Sequence, residues 1–413
     1  MLVGQVNILT HPHLLPMKIL ALAWEFPPRI VGGISRHVAG LYPELVKLGH
    51  QITLVTIAWD DAPAQELVNG IEVLRVPVPP NPDFFGWVAS MNQQMSQYLQ
   101  AQDFLCQFDL IHGHDWLVSD VAIELAKLYN LPLCATIHAT EYGRSHGIHS
   151  DANRHVHAKE IAFSQAANRV IVCSKYMCGE VERALQCPAS KVDVVYNGLN
   201  PTQVDLDPDF DPSQWRSQYA HPDQKIVYYV GRITYEKGIF VLLNAAPQII
   251  AATQDKVKFV IIGSDNGYTN LLKQQAWNLG ISHQVIFTGF MSDQDLSKFQ
   301  LIADCAVFPS LYEPFGIVAL EGFAAQVPVV VSNTGGFPEV VSDQVTGVVV
   351  EVNNAAALAR GILQILQDPD YAQRLVASAS EDLRRRFSWQ AIAAQTIQVY
   401  KRTLEKIKLT DTE

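Results

Sequence analysis

The chain has 413 residues, of which 48% are hydrophobic and only 17% are charged, and its formal net charge is −11. This length exceeds the size at which one hydrophobic core keeps growing, so two domains are the simplest expectation. The composition suits buried parallel sheets better than coiled coils, fibres or disordered tails. An extended nucleic-acid surface is disfavoured because such surfaces need clustered Lys and Arg. Any phosphate should therefore be bound locally.

The cysteines and the first residues indicate a cytoplasmic protein. None of the six cysteines forms a CxxC pair, and several lie in apolar runs, so we expect reduced thiols. The first sixteen residues show no basic n-region and no small-residue cleavage site, and we interpret residues 1–16 as an extension before the first strand or as the result of a misassigned start. No segment is long enough to cross a bilayer, so no integral membrane span is expected.

Short apolar runs alternate with longer segments of helical periodicity, which is typical of βαβ units that wind a parallel sheet. In the first half, the predicted strands are 18–23, 51–57, 71–76, 110–113, 133–137, 169–173 and 192–195. In the second half, they are 225–230, 258–262, 285–287, 305–308 and 328–331. The α/β pattern occurs twice, so the sequence predicts two Rossmann-like domains in series.

A segment rich in proline and acidic residues separates the two patterns. Asn200–Pro212 breaks both periodicities, which indicates an interdomain linker. We therefore predict an N-terminal domain over residues 1–200 and a C-terminal domain over residues 201–386. The segment Phe387–Ile407 predicts an amphipathic last helix, and we assign residues 387–413 to the first domain because its apolar side chains need a surface to cover.

The first predicted strand leads into the loop Pro27–Ser35, which contains Gly32 and Gly33 and opens a helix. Adjacent glycines let backbone amides approach a ligand, and a helix N-terminus carries a partial positive charge that favours phosphate. A tight structural turn is the equal alternative. The loop lacks the GxGxxG spacing, which argues against a nicotinamide cofactor.

Polar side chains follow two neighbouring strands at their carboxyl ends. Asp115 lies in the segment His112–Trp116, and His138 and Glu141 lie in the segment Thr136–Tyr142. Ligands of open α/β sheets bind at these strand ends, so we expect both segments to reach one crevice.

The first half of the chain contains many histidines, so a metal site is the main alternative to the ligand-binding crevice. They are His112, His114, His138, His146, His149, His155 and His157. None of their spacings matches a compact zinc pattern such as HExxH. We therefore predict no metal site, with a hydrogen-bonded structural role as the default for each histidine.

Two loops of the second half combine glycines with charged side chains. The segment Gly231–Gly238 follows a strand, and its Arg232 and Lys237 can reach one diphosphate. An exposed basic turn is the alternative, but flanking glycines in so acidic a chain favour the clamp. A further Gly-rich loop, Ser332–Val341, lies at the end of a later strand.

The segment Pro309–Gly322 runs from a strand through a bend into a helix. The first amides of this helix offer hydrogen-bond donors to a phosphate. They belong to Gly316, Ile317 and Val318. Glu321 lies just over one turn inside the helix, where a carboxylate can hold vicinal hydroxyls, and Glu313 projects from the loop above.

This combination resembles the retaining glycosyltransferases of the GT-B fold, in the large group-1 class (family 4), related to bacterial glycogen synthases. The resemblance covers nearly the whole chain. Its most specific part is EPFGIVALE from Glu313 to Glu321, similar to the family's E-x7-E motif. Gly231–Gly238 is similar to the family's GR…EKG motif and Gly335–Glu339 to its GG-x-PE motif, whereas Gln326 stands where a Gly is common.

The resemblance implies two Rossmann-like domains that face each other across a cleft. The implied activity is retaining transfer of a hexose, expected to be glucose, from a nucleotide-sugar donor to a hydroxyl of a sugar or glucan acceptor. ADP-glucose or UDP-glucose is the expected donor. This donor is a substrate, and no cofactor is expected.

The same resemblance assigns roles to individual residues. Arg232 and Lys237 hold the donor diphosphate, Glu321 the ribose and Glu313 the transferred sugar, while His138 contacts the sugar near the reacting centre. The implied catalytic residues are His138, Glu313, Arg232 and Lys237. The implied nucleotide-sugar contacts are Gly32, Gly33, Arg232, Lys237, Gly316, Ile317, Val318 and Glu321. We place Asp115 and Glu141 on the acceptor side.

Two other functional classes compete with this interpretation. A non-catalytic two-domain sugar-binding protein would need an export signal and would not need the clamp of Arg232 and Lys237. A nucleotide-sugar epimerase shares the architecture by analogy only. Asp205 and Asp207 have the DxD spacing of metal-dependent transferases, but they lie in the predicted linker. We interpret them as carboxylates exposed to solvent and expect transfer without a divalent metal.

Overall fold

Two β-sheets, parallel except for one edge strand, form the framework of the protein. The computed structural model describes residues 16–102, 105–200, 210–265 and 267–410. Residues 1–15 of the predicted extension lie outside the described residues, as do Asp205 and Asp207 of the predicted linker. The domain division at residue 201 therefore stays a prediction.

The first sheet consists of eight strands, most of which are buried on both faces because helices cover both sides. They are β1 Lys18–Leu22, β2 Gln51–Ile57, β3 Gln65–Val68, β4 Ile71–Val76, β5 Leu110–His114, β6 Leu133–Ile137, β7 Arg169–Val172 and β8 Val192–Val194. Their order is β3-β4-β2-β1-β5-β6-β7-β8, and every pair is parallel except β3 with β4. The order reverses between β1 and β5, where open α/β sheets bind ligands.

The second sheet has six strands, and all of its neighbouring pairs are parallel. They are β9 Lys225–Val230, β10 Val257–Ile262, β11 Val285–Gly289, β12 Cys305–Phe308, β13 Val329–Ser332 and β14 Val348–Val350. Their order is β11-β10-β9-β12-β13-β14, so the switch point of this sheet lies between β9 and β12.

Helices cover the faces of both sheets. They are α1 Gly33–Lys47, α2 Phe84–Gln100, α3 Ser119–Leu128, α4 Glu141–Arg144, α5 Asp151–Ala166, α6 Lys175–Leu185, α7 Pro212–Ser217, α8 Ile239–Ala252, α9 Tyr268–Asn278, α10 Asp293–Gln300, α11 Ile317–Ala324, α12 Phe337–Val340, α13 Ala355–Gln367, α14 Pro369–Arg386 and α15 Trp389–Thr410. Among the described residues, none of these helices combines the length and the apolar character that a bilayer span requires.

The α/β class and the repeated strand–helix alternation predicted from the sequence are confirmed. Predicted and observed strand ends differ by at most two residues. The sequence pattern does not predict β3, because this edge strand alternates between exposed and half-buried residues and contains no apolar run. It also does not predict the short edge strand β14.

The last helix returns to the first sheet. Trp389, Ile392, Ile397 and Tyr400 of α15 are buried in one apolar cluster with residues of β1, β2 and α1. A Cβ on Gly40 of α1 would lie 2.1 Å from the indole of Trp389, so this glycine leaves the room that the ring fills. The chain thus crosses from the second sheet back to the first after α14.

Substitution of Trp389 tests this packing. Trp389 is 5% exposed, and Trp389→Ala should lower the free energy of unfolding by about 3–5 kcal/mol because it leaves a cavity between α15 and α1. Urea denaturation measures the change. Trp277, which is 72% exposed, provides the control, and Trp277→Ala should stay within about 0.5 kcal/mol of the wild type. Equal losses for the two variants would contradict the described packing.

Candidate active site

The carboxyl ends of the two sheets face one cavity. It encloses about 370 Å³ and is lined by segments that follow β1, β5 and β6 of the first sheet and β9 and β12 of the second. Both switch points therefore open onto the same space. The predicted site residues that line this cavity are Gly32, Gly33, Asp115, His138, Arg232, Lys237, Glu313, Gly316 and Ile317.

Lys237 and Glu313 form an ion pair in this cavity. Lys237 Nζ lies 2.7 Å from Glu313 Oε2, and both side chains are mostly buried. Ser310 Oγ donates a hydrogen bond to the same carboxylate oxygen at 3.3 Å. Lys237 stands in the turn after β9 and Glu313 in the loop after β12, and these two strands are neighbours in the sheet. Strand pairing therefore brings together two residues that are distant in sequence.

Glycines let the loops of the second sheet approach one another closely. A Cβ on Gly335 would lie 1.8 Å from the Glu313 carbonyl oxygen, and one on Gly238 would lie 2.0 Å from the Pro309 carbonyl oxygen. Neither position accepts a larger residue unless the backbone moves. The Gly336 amide donates to the Glu313 carbonyl oxygen at 2.8 Å. The GG-x-PE motif therefore supports the loop that carries Glu313.

Two further groups can bind an anion here. The Arg232 side chain is 66% exposed, and its Nη2 lies 3.7 Å from a Glu236 oxygen, a loose contact that leaves the guanidinium able to turn. The first N–H groups of α11 lack partners within the helix and point toward a ligand at its N-terminus. Gly316 and Ile317 of this turn line the cavity, whereas Val318 is not among the lining residues.

Glu321 faces a second, adjoining cavity. This cavity encloses about 570 Å³ and shares Ile317 with the first. The Glu321 carboxylate is paired with Arg36 of α1, whose guanidinium also lies 3.1 Å from Asp293. Burial raises the pKa of Glu321, and the positive charge of Arg36 opposes that rise. Glu321, the residue predicted to bind the ribose, thus pairs with an arginine of the first domain.

A carboxylate that the sequence analysis did not identify caps the Gly32–Gly33 loop. Glu25 is buried, and its Oε2 accepts hydrogen bonds from the amides of Val31 at 2.6 Å and Gly32 at 2.9 Å. Its Oε1 accepts from the Ser35 amide at 3.2 Å. The Gly32 amide therefore has a partner already, which favours the structural turn over a phosphate site at this position.

His138 belongs to a buried histidine cluster with His37 and His114. Its Nε2 lies 3.2 Å from His114 Nδ1. Burial lowers the pKa of His37 to about 3 and that of His138 to about 4, and it holds the pKa of His114 well below its usual range. All three rings are therefore neutral at pH 7. His37 was not a candidate because its helix is far from the other two residues in sequence.

Asp115 supports His138 from the neighbouring strand end. Its Oδ1 accepts a hydrogen bond from the His138 backbone amide at 2.8 Å. Burial raises the pKa of Asp115 to about 6, and the charge of Arg144 opposes the rise. Asp115 therefore fixes the backbone that presents His138 to the cavity.

Glu141 is not among the residues that line this cavity. Its Oε1 accepts hydrogen bonds from Ser145 Oγ at 2.8 Å and Asn153 Nδ2 at 2.5 Å. Glu141 opens the short helix α4, and these contacts turn its carboxylate toward the start of α5. They give Glu141 a structural role, and its place on the acceptor side stays a prediction.

Glu339 links the two domains beside the cavity, a role that the sequence analysis did not identify. Its carboxylate accepts hydrogen bonds from the amides of Lys175 and Tyr176 at 2.9 Å each. These amides belong to the N-terminus of α6, where the helix dipole favours an anion. Ser174 Oγ also donates to the Pro314 carbonyl oxygen at 2.6 Å. The loops around the cavity are thus joined across the cleft.

Comparisons with known proteins agree with this geometry. The family model described as glycosyl transferases group 1 matches residues 211–382, and the model described as glycosyltransferase family 4 matches residues 31–203. An uncharacterized glycosyltransferase of Methanocaldococcus jannaschii is 38% identical over 94% of this chain and 99% of its own. A glycogen synthase of Mycobacterium tuberculosis is 33% identical over 93% of this chain and 94% of its own. The chain belongs to the group 1 glycosyltransferases.

The fold of this glycosyltransferase matches that of solved relatives. The crystal structure of Anabaena HepE in complex with UDP-glucose has a TM-score of 0.74 and 21% identity, and the match covers 93% of this chain and 99% of that chain. The glycosyltransferase therefore has the GT-B fold, in which two Rossmann-like domains face each other across a cleft, as the sequence resemblance predicted.

Disruption of the Lys237–Glu313 pair tests the site. Lys237→Met should destabilise the glycosyltransferase by about 3 kcal/mol, because the mostly buried Glu313 loses its counter-charge. The double variant Lys237→Met/Glu313→Gln should recover most of that loss, since neither charge remains. Urea denaturation without donor measures both.

An exposed pair provides the control for this measurement. Lys256 and Asp223 are 56% and 52% exposed, so Lys256→Met should cost less than about 1 kcal/mol. If Lys256→Met and Lys237→Met cost the same, or if the double variant is no more stable than Lys237→Met, the described pair does not support the site.

Proposed function

We propose that this glycosyltransferase moves a glucosyl unit from UDP-glucose or ADP-glucose to a hydroxyl of a sugar or glucan acceptor, with retention of configuration. The observation that carries the proposal is the convergence of Lys237, Arg232 and the N-terminus of α11 on the cavity between the two switch points. Each of these groups binds anions, and together they fit the diphosphate of a nucleotide sugar.

The clamp acts on the charge that develops during transfer. When the bond between the sugar and the diphosphate breaks, negative charge grows on the departing phosphate, and Lys237 and Arg232 oppose it. Glu313 holds Lys237 in place before the donor arrives, so little reorganisation of the ammonium is needed. The Glu313 carboxylate also accepts hydrogen bonds from hydroxyls of the transferred sugar in this proposal.

Retention follows from attack on the face that the diphosphate leaves. The acceptor oxygen forms a bond to the anomeric carbon while the bond from that carbon to the phosphate oxygen breaks. The departing phosphate oxygen accepts the proton of the acceptor hydroxyl. His138, which Asp115 positions through its backbone amide, contacts the sugar beside the reacting carbon. Closure of the two domains keeps water out of the cavity.

The nucleoside end of the donor fits the adjoining cavity. In this proposal the ribose hydroxyls take the place of Arg36 at the Glu321 carboxylate. The glucose donor is supported by the complex of HepE with UDP-glucose and by the likeness to a glycogen synthase. The same likeness supports a glucan as the acceptor.

We also propose a cytoplasmic location. All six cysteines are free thiols, and four of them are buried. Unpaired thiols are typical of a reducing compartment.

A donor screen tests the proposed reaction. The purified enzyme is incubated with UDP-glucose, ADP-glucose and other nucleotide sugars, each with and without maltooligosaccharides, and products are identified by mass spectrometry. The expected product is an acceptor one hexose longer, together with the nucleoside diphosphate. Isomerised donor without a longer acceptor would indicate an epimerase, and bound donor without any product would indicate a binding protein.

Transfer should need no divalent metal, because Arg232 and Lys237 supply the charge that a metal would bring. Exhaustive EDTA treatment should leave turnover unchanged. Arg232→Ala should lower turnover by two to three orders of magnitude, since a lost charge partner of the transition state costs about 3–4 kcal/mol. Arg232→Lys should lose less, because the charge remains while one bidentate contact disappears.

Two further variants complete this experiment. Arg360 is exposed on α13, and Arg360→Ala should keep wild-type turnover. Asp207→Ala tests the DxD sequence of the linker and should also have little effect. The charge clamp is wrong if EDTA abolishes turnover, magnesium or manganese restores it, and Asp207→Ala is more damaging than Arg232→Ala.

Loss of the Glu321 carboxylate should appear mainly in donor affinity. Glu321→Ala should weaken nucleoside diphosphate binding about 10–100-fold, since hydrogen bonds to a charged group contribute about 1.5–3 kcal/mol. Isothermal titration calorimetry measures the affinity, and Glu351→Ala on the exposed surface is the control. Unchanged donor binding with abolished turnover would reassign Glu321 to catalysis.

A further inference from the structure

Three histidines from separate elements meet in the interior of the first domain. His37 lies on α1, His114 ends β5 and His138 follows β6. One ring nitrogen of each lies within 4.8 Å of a ring nitrogen of the other two. Three convergent imidazoles are a donor set that zinc and its neighbours in the first transition series prefer.

Hydrogen bonds to residues outside the cluster decide which ring nitrogen of each histidine faces the other two histidines. His37 Nδ1 lies 2.8 Å from the Asn197 side-chain oxygen, so Nδ1 carries the proton that this oxygen accepts. The lone pair of His37 is then on Nε2. His114 Nε2 lies 2.6 Å from the Tyr42 hydroxyl, which leaves Nδ1 facing His138 Nε2. Oxygen partners on the outer nitrogens orient metal-binding imidazoles in the same way.

The hydrogen bonds that the three rings make with one another and with Asn197 and Tyr42 leave one nitrogen unsatisfied. His37 Nε2 is buried and has no hydrogen-bond partner among the residues that the structure describes. A buried acceptor without a partner is unfavourable. A bound ion would satisfy it. The 3.2 Å between His114 Nδ1 and His138 Nε2 also suits two ligands of one ion, since tetrahedral zinc–nitrogen bonds separate their nitrogens by about 3.3 Å.

We propose that His37, His114 and His138 form a binding site for one borderline divalent ion, Zn²⁺ or Co²⁺. His138 lines the cavity, which offers the ion a path of entry. The sequence analysis predicts no metal here because the three ligands come from separate elements and share no compact spacing. The site is distinct from the diphosphate clamp, but it shares His138 with the proposed sugar contact, so a bound ion should compete with the transferred sugar.

Cobalt titration tests the proposal on the full chain. After chelation and dialysis, the wild-type protein is titrated with Co²⁺ alone and its visible spectrum is recorded. The expected result is one Co²⁺ per chain with the intense bands of tetrahedral nitrogen coordination, and stoichiometric displacement by Zn²⁺. His37→Gln removes the unpartnered nitrogen and should weaken Co²⁺ binding about 100-fold or more. Zn²⁺ should raise the melting temperature of the wild type but not of this variant.

Exposed His283 provides the matched control, and His283→Gln should bind Co²⁺ as the wild type does. X-ray absorption of the wild type decides the ligands even if His37→Gln fails to fold, because three imidazole nitrogens are expected around the ion. A wild-type chain that takes up no stoichiometric Co²⁺, or a His37→Gln variant that binds it equally well, would overturn the proposal. The donor screen, run on the chelated enzyme, tests transfer separately from Co²⁺ uptake.

Discussion

The candidate active site depends on how closely three loops of the second sheet approach one another. The loop that carries Glu313 lies against Gly335 and Gly238 at distances where a Cβ has no room. This contact fixes the backbone of Glu313 beside the turn that carries Lys237. The ion pair between the two side chains follows from that backbone position. The glycines thus act first as packing residues, and their effect on the ligand is indirect.

Polar contacts also hold the two domains together around the cavity. Arg36 of the first domain forms an ion pair with Glu321 of the second domain. Glu339 of the second domain caps the N-terminus of α6 in the first domain. A donor that uses Glu321 must exchange Arg36 for its own hydroxyls. The proposed exchange of Arg36 for ribose hydroxyls would therefore couple donor binding to this contact between the domains.

The sequence predicts the sheets well because buried parallel strands consist of continuous apolar runs, as in Gln51–Ile57. It also predicts Arg232 and Lys237, since their spacing in a strand-end loop needs no tertiary information. The family's common Gly at position 326 has a physical reason: Gln326 adopts a positive φ of 58°. These features depend on residues that are close together in the chain, so sequence patterns indicate them.

Other features depend on contacts that no local pattern contains. Glu25 binds backbone amides, which every loop residue except proline has. The sequence therefore cannot show whether these amides bind a carboxylate of the protein or a phosphate. His37 joins His114 only because α1 packs over the first sheet. The Arg36–Glu321 pair spans 285 residues and both domains. The contacts of Glu141 with Ser145 and Asn153 depend on the turn of α4, which the strand pattern does not contain.

The most direct test of the account is the ratio of two binding constants. Calorimetry gives the affinity of the nucleoside diphosphate and of the nucleoside monophosphate with the same base. If Lys237 and Arg232 clamp the second phosphate, the wild type should bind the diphosphate about 100-fold more tightly, and in Lys237→Met/Glu313→Gln the ratio should fall to about 10 or below. Equal affinities in the wild type, or an unchanged ratio in the variant, would contradict the clamp.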